Sequence, residues 1–221
     1  PAPSDIQKVE SHRAVDYNDM AQFMADLRVR EGLAARALEF AILCASRSGE
    51  VRGALWSEIN REKAIWTIPA ERMKAGKEHR VPLSTPAVKL LEALPRSDSS
   101  DLVFAGADDK PLSDMALTAV MRRMEVDAVP HGFRSTFRDW VGDCTNHPRD
   151  VAEFALAHKL SDKVEASYRR SDALEKRRQI LQNRDPQSNA DHVMTFLKDW
   201  DTPQRKQLLA GQKVVYLYHN E

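Results

Sequence analysis

Residues 33–45, LAARALEFAILCA, constrain the fold more than any other stretch of this chain. The run predicts a helix buried over most of its surface, and such a helix needs neighbours on several sides. It is too short to span a bilayer and carries Arg36 and Glu39. It therefore reads as a buried helix of a folded domain.

The rest of the chain supplies the neighbours. YNDMAQFMADLRVRE (17–31) repeats Met20, Phe23, Met24 and Leu27 at helical spacing. SGEV restarts a short helix that runs through Leu55, and STPAVKLLEAL opens with a helix-start signal, Ser or Thr before Pro. Further helices are expected at 113–127, 132–146, 148–157, 162–169 and 172–183, with weaker ones at 189–200 and 203–210 and a β-prone KVVYLY at 213–218. KAIWTIPA and HRVPLS are β-prone runs separated by the polar ERMKAGKE, which predicts a hairpin with its tip near Gly76. The expected class is mainly α with a small antiparallel β-sheet (α+β). There is no internal repeat or low-complexity tract.

Bulk properties remove several functions. The 221 residues hold no run of eighteen apolar residues, and the start lacks the charged-then-apolar order of a signal peptide. Cys44 and Cys144 are far apart with no CxxC pair, so neither disulfide stapling nor a zinc ribbon is expected, and a reducing cytoplasm fits. Pro1 in place of an initiator methionine suggests a fragment or a processed chain. A net charge of zero argues against strong non-specific nucleic-acid binding. The charges are clustered, however: Arg72, Lys74, Lys77 and Arg80 face only Glu78 in one segment, and Arg169, Arg170, Lys176, Arg177 and Arg178 face Asp172 and Glu175 in another. Such clusters make either one positive face or two ordinary solvated surfaces.

HGFRSTFRDW (131–140) carries the chemistry. His131 and Arg134 fall on one helix face a turn apart, and Phe133, Phe137 and Trp140 make an apolar stripe beside them. The stripe anchors the helix while the cationic pair points elsewhere, which suits an anion such as phosphate. ASRSGEV puts Arg47 after the buried helix, where the plain alternative is a partnership with Glu50 or a carbonyl. MKAGK puts Lys74 on the hairpin approach, and LAHKLSDKVEASYRRS holds His158 and, ten residues on, Tyr168. Taken singly, each of these is more often structural than catalytic.

Taken in order, RALEFAILCASRSGEVRGALWSEI, WTIPAERMKAGKEHRVPLS, HGFRSTFRDW and LAHKLSDKVEASYRRSD resemble the catalytic domain of tyrosine recombinases, closest to the integrases of temperate phages and genomic islands. The resemblance runs from about His12 to about Gln182. It implies a DNA breaking-rejoining fold over residues 1–184, a C-terminal extension of unclear role over 185–221, and the absence from this chain of the arm-binding and core-binding domains. It implies Arg47 and Arg134 as phosphate-clamping arginines, Lys74 as the hairpin lysine, His131 and His158 as the active-site histidines, Tyr168 as nucleophile and Glu50 as a support for Arg47. It further implies a double-stranded DNA attachment site as partner, a tetramer on DNA and a monomer in isolation, a bacterial cytoplasmic setting, and neither membrane, cofactor nor metal.

The chemistry is coherent with those roles. A tyrosine conserves the phosphate bond as a 3′-phosphotyrosine, His131 accepts the phenol proton, and Lys74 protonates the leaving 5′-oxygen. The arginines and His158 stabilise the charged transition state in place of a metal. The rivals are a type IB topoisomerase that relaxes DNA, a metal-dependent phosphohydrolase, and a catalytically idle DNA-binding remnant.

Overall fold

The computed structural model describes residues 13–158 and 172–183. The apolar run forms α2 (Leu33–Cys44), buried on nearly every side. It packs against α1 (Met20–Arg28), α3 (Ser48–Arg52), α4 (Thr85–Ala93) and α5 (Ala116–Arg123). Its one buried acid, Glu39, is neutralised by Arg28 and Arg36, each 2.7 Å from a carboxylate oxygen. Phe40 of α2 sets the core's aromatic contacts, 5.4 Å from Trp66 and 5.6 Å from Phe104 between ring centroids.

The hairpin is present and gains a third strand. β2 (Ile65–Ile68) pairs antiparallel with β3 (His79–Pro82), Ile68 opposite His79, and β2 also pairs with β1 (Ile59–Asn60). Trp66 and Ile68 point into the core while Ile65 and Thr67 are half-buried, the alternation a strand with one covered face requires. Gly76 takes a positive φ of 64° at the turn between β2 and β3. Among the described residues the remaining α-helices are α6 (Gly132–Cys144), α7 (Arg149–Ala155) and α8 (Leu174–Asn183); α6 packs on α7, and α8 on both α7 and β3. The class is mainly α with a small antiparallel sheet, as the sequence patterns predict. Among the described residues no helix is long and apolar enough to cross a membrane.

Several boundaries shift for local reasons. The first helix opens as a 3-10 turn at Tyr17–Asp19 and stops at Arg28, short of Gly32 with its positive φ. The helix after Arg47 stops at Arg52 because Gly53 leaves the helical region. The helix expected at 113–127 is confined to 116–123, closed by Glu125 at φ 58°. The expectations for 162–169, for everything beyond 183 and for Tyr168 lie outside the described residues.

The basic segments form no single positive face among the described residues. Arg72 bonds both carboxylate oxygens of Glu58 and the carbonyl of Glu50. Arg80 bonds Asp172, and Arg177 is fully buried, donating to the carbonyls of Asp172 and Arg80 and to the Asp172 carboxylate. Arg178 donates to the carbonyls of Ala64 and Lys63. Arg177 and Arg178 stitch α8 to the sheet and its β1–β2 turn, and among the described residues of the two segments Lys74, Lys77, Arg80 and Lys176 are exposed.

The segment entering the domain lies across the first turn of α6. Val129 donates to the carbonyl of Arg13, and the Thr136 hydroxyl donates to that of Val15 at 2.6 Å. Gly132 makes this approach possible: a Cβ there would stand 2.2 Å from the Arg13 oxygen and 2.8 Å from the Cα of Ala14. Because both obstacles are backbone, Gly132→Ala must push the entry segment away. A loss of about 1–3 kcal/mol is expected, measured by urea unfolding against wild type. An unchanged midpoint would show that this contact is dispensable.

Candidate functional site

Arg134, in the first turn of α6, is 4% exposed. One terminal nitrogen donates to the carbonyl of Ala45, just past α2, and the other to that of Leu156, just past α7. The second also meets Nε2 of His158 at 3.1 Å. Among the described residues its partners are thus two carbonyls and an imidazole, with no carboxylate, and its buried Nε has no hydrogen-bond partner. Burial, and then the nearby charge of Arg47, push the Arg134 pKa down to about 10. A guanidinium kept in this state carries a charge that no contacting carboxylate neutralises.

The ends of α2 and α7 explain how two carbonyls converge on it. Ala45 closes α2 in the left-handed region at φ 53°, with its own N–H on Ile42 and that of Ser46 on Ala41. This is the usual helix-ending geometry, normally built with glycine. The chain then turns into α3, where the carboxylate of Glu50 accepts both the Arg47 amide at 2.9 Å and its guanidinium at 2.7 Å. Glu50 is buried and aims Arg47 while engaging one nitrogen of its fork.

At the other side, α7 supplies Glu153. Its carboxylate meets His158 Nδ1 at 2.7 Å and lies 2.8 Å from Arg138 Nε, an ion pair without hydrogen-bond alignment. The tautomer that satisfies both His158 contacts carries its proton on Nδ1, donating to Glu153, and accepts from Arg134 at Nε2.

The structure therefore brings Arg47, Glu50, Arg134 and His158 together. It corrects the expectation that His131 and Arg134 form one outward pair. His131 is exposed at the start of α6, whereas Arg134 turns inward between the ends of α2 and α7. Lys74 is exposed in the turn between β2 and β3, two residues beyond Arg72, which ties the hairpin to Glu50. Tyr168 lies outside the described residues. Among those described, no group of three or more His, Cys, Asp or Glu side chains could hold a metal.

Sequence reasoning missed His79. At the start of β3 its ring lies near the end of α7 and feels the charges of Arg177, Glu50 and Arg134. Burial first, then Arg177, push its pKa down to about 4. Its one signal was its position, a titratable residue heading a strand that otherwise runs into the core. Glu153 and Arg138 were missed too, because nothing local marks a carboxylate that serves a histidine five residues away.

A histidine held neutral has a definite pH signature. The unfolded chain binds the proton near pH 6.5, the folded one only near 4, so this group's stabilisation is complete above 6.5 and is lost as pH falls toward 4. Thermal melts between pH 7 and 4 should show a shallower decline for His79→Asn than for wild type. Parallel profiles would count against a neutral His79.

Comparison with known proteins places this geometry. Residues 13–175, spanning Arg47 through Tyr168, match the phage integrase family. The chain is 35% identical over 146 residues to the prophage integrase IntA of Escherichia coli (strain K12), covering 64% of this chain and 35% of that protein. It is 31% identical over 197 residues to the integrase of Enterobacteria phage P4, covering 79% and 45%. The chain thus spans less than half the length of these relatives. Among solved structures, the integrase from mycobacterium phage Brujita superposes with a TM-score of 0.62 at 18% identity over 79% of this chain and 58% of that one. A lambda integrase tetramer bound to a Holliday junction gives 0.52 at 17% over 75% and 50%. The fold is shared with these structures, and the chain belongs to the phage integrase family.

Proposed function

We propose that this chain carries the catalytic domain of a site-specific DNA recombinase, an integrase that cuts and rejoins strands through a covalent 3′-phosphotyrosine. One observation carries the reading: a buried arginine held by carbonyls, with an unpaired Nε, beside a second arginine aimed by a buried glutamate. Two such forks match the two non-bridging oxygens of a phosphodiester and stay charged throughout the reaction. On this reading residues 1–184 are the catalytic domain and 185–221 an extension.

The residues then take these roles. Tyr168 attacks phosphorus, giving its phenolic proton to His131 as the bond to the 5′-oxygen breaks. Lys74 delivers a proton to that oxygen, which leaves as a hydroxyl. Arg47 and Arg134 hold the charge that gathers on the non-bridging oxygens. With Nδ1 committed to Glu153, His158 can donate to a phosphate oxygen only as the imidazolium, with its second proton on Nε2. Rejoining reverses the path, with a 5′-hydroxyl from another duplex as attacker. The partner is double-stranded DNA at an attachment site. Assembly as a tetramer on two duplexes is supported by the lambda integrase likeness.

A nicked suicide duplex, which loses its 5′-hydroxyl fragment after cleavage, tests the reading. Wild type should accumulate a protein–DNA adduct that survives detergent, and Tyr168→Phe should give none. Arg134→Lys keeps a charge but loses the fork, and its adduct should form about 10²–10³-fold more slowly. An adduct persisting in Tyr168→Phe would move the nucleophile elsewhere. Relaxation of supercoiled plasmid without exchange between two sites would favour the topoisomerase alternative.

A further inference from the structure

The turn that carries Lys74 stands on a fixed root. Ala70–Arg72 form a 3-10 turn after β2, and the Arg72 and Met73 amides donate to the carbonyls of Pro69 and Ala70, each at 3.1 Å. Met73 is buried in the core, and its carbonyl accepts from the Gly76 amide at 2.9 Å. Lys74 and Ala75 are therefore the central residues of a hydrogen-bonded turn whose first residue is held inside.

Arg72 ties this root to two other elements through separate nitrogens. Nη1 bonds both carboxylate oxygens of Glu58, and Nη2 donates to the carbonyl of Glu50. Glu58 is itself held in place: one of its oxygens accepts from the indole of the fully buried Trp66 at 2.9 Å and from the Leu55 amide at 3.2 Å. The Glu50 carbonyl belongs to the last turn of α3, where helix carbonyls lack intrahelical partners. Nη2 lies so close to the end of α3 that a Cβ added at Gly53 would stand 3.1 Å from it. The carboxylate of the same Glu50 holds the Arg47 amide and guanidinium. Lys74 follows Arg72 by two residues, so their Cα atoms stand at most about 7 Å apart.

Resting on the recombinase reading above, we propose that Arg72 is a positioning residue for the leaving-group step. By bridging Glu58 and the Glu50 carbonyl, it sets the Lys74 ammonium against the phosphate that Arg47 grips. Its charge is engaged by Glu58, so it acts through the turn and not on the phosphate. A lysine in its place could answer the Glu58 charge, but one ammonium has no planar fork to span a carboxylate and a carbonyl on separate elements.

The role makes a prediction that mere structural support does not. Disturbing α3 and Arg47 should slow cleavage whichever atom leaves, whereas misplacing Lys74 should hurt only when the leaving atom needs a proton. The full chain is tested on two suicide duplexes, one with the ordinary 5′-oxygen at the scissile bond and one with sulfur in its place. A thiolate leaves without protonation at neutral pH far more readily than an alkoxide. Adduct formation is timed on both for wild type, Lys74→Ala, Arg72→Lys, and the double variant Arg72→Met with Glu58→Gln. The double variant removes both charges together, so that no carboxylate is left buried and unpaired. The readout is the ratio of oxygen to sulfur rates, with thermal melts to show which variants fold.

Lys74→Ala should lower the ratio most. Arg72→Lys should melt near wild type yet lower the ratio about ten- to a hundredfold, the scale of a misplaced reacting group, and the double variant should lower it likewise. A lowered ratio in either folded variant supports the role. A ratio lowered in neither overturns it, including the case where both substrates slow equally and Arg72 serves α3 alone. Failure of both variants to fold overturns it too, because Arg72 would then support the domain at large. Absence of any wild-type adduct, or a ratio indifferent to Lys74→Ala, would instead fault the recombinase reading.

Discussion

The burial of Arg134 against main-chain oxygen is the interaction on which the pocket depends. A guanidinium taken from water usually finds a carboxylate, because an unpaired buried charge is costly. Here carbonyls of Ala45 and Leu156 solvate the cation without neutralising it. The two acids nearby are spent otherwise: Glu50 orients Arg47, and Glu153 holds His158 beside Arg138. Each carboxylate stands one residue back from where an anion would sit. Arg134 thus keeps a cation that no contacting carboxylate neutralises, on a chain whose net charge is zero.

That arrangement demands that helix ends point at one another, and the backbone bears the cost. Ala45 occupies a left-handed conformation that a side chain disfavours by roughly 1–2 kcal/mol, where glycine would suffer no penalty. The strain sits at the residue whose carbonyl meets Arg134 and two residues before Arg47. Strain concentrated beside a functional group and over-determined by packing is a common property of such sites. The buried bulk of α2, with Leu38, Phe40, Ile42 and Leu43 almost wholly inside, fixes the helix firmly enough to hold it.

The sequence disclosed what one element can disclose about itself. The period of 33–45, the Ser-Thr-Pro opening of α4 and the two β-prone runs around Gly76 each carry their signal in neighbouring residues. β1 was not legible because two residues cannot show an alternation. The fate of the arginines was hidden for a different reason. Arg177 lies 97 residues from the Arg80 carbonyl it meets, and Arg134 is 89 from Ala45. A cluster of basic letters looks the same whether it faces solvent or is bonded to distant carbonyls. Identity and order pointed to Arg47, Glu50, Arg134 and His158, but the inward turn of Arg134 and the presence of His79 needed three dimensions.

The resting contacts also bear on how an anion is admitted. Nothing in the pocket must break an Arg134 ion pair, because its partners are neutral. Arg47 commits one nitrogen to Glu50 and keeps the rest of its fork. The one side-chain contact of Arg134 among the described residues is with His158 Nε2, and Glu153 holds that ring by its other nitrogen. Polar groups set before the ligand arrives need little reorganisation when charge develops, which is where electrostatic stabilisation has most effect. The same logic explains why the supporting acids are the more buried partners: Glu50 at 6% and Glu153 at 14% side-chain exposure are fixed, while Arg47 at 24% and His158 at 36% retain a face toward the ligand.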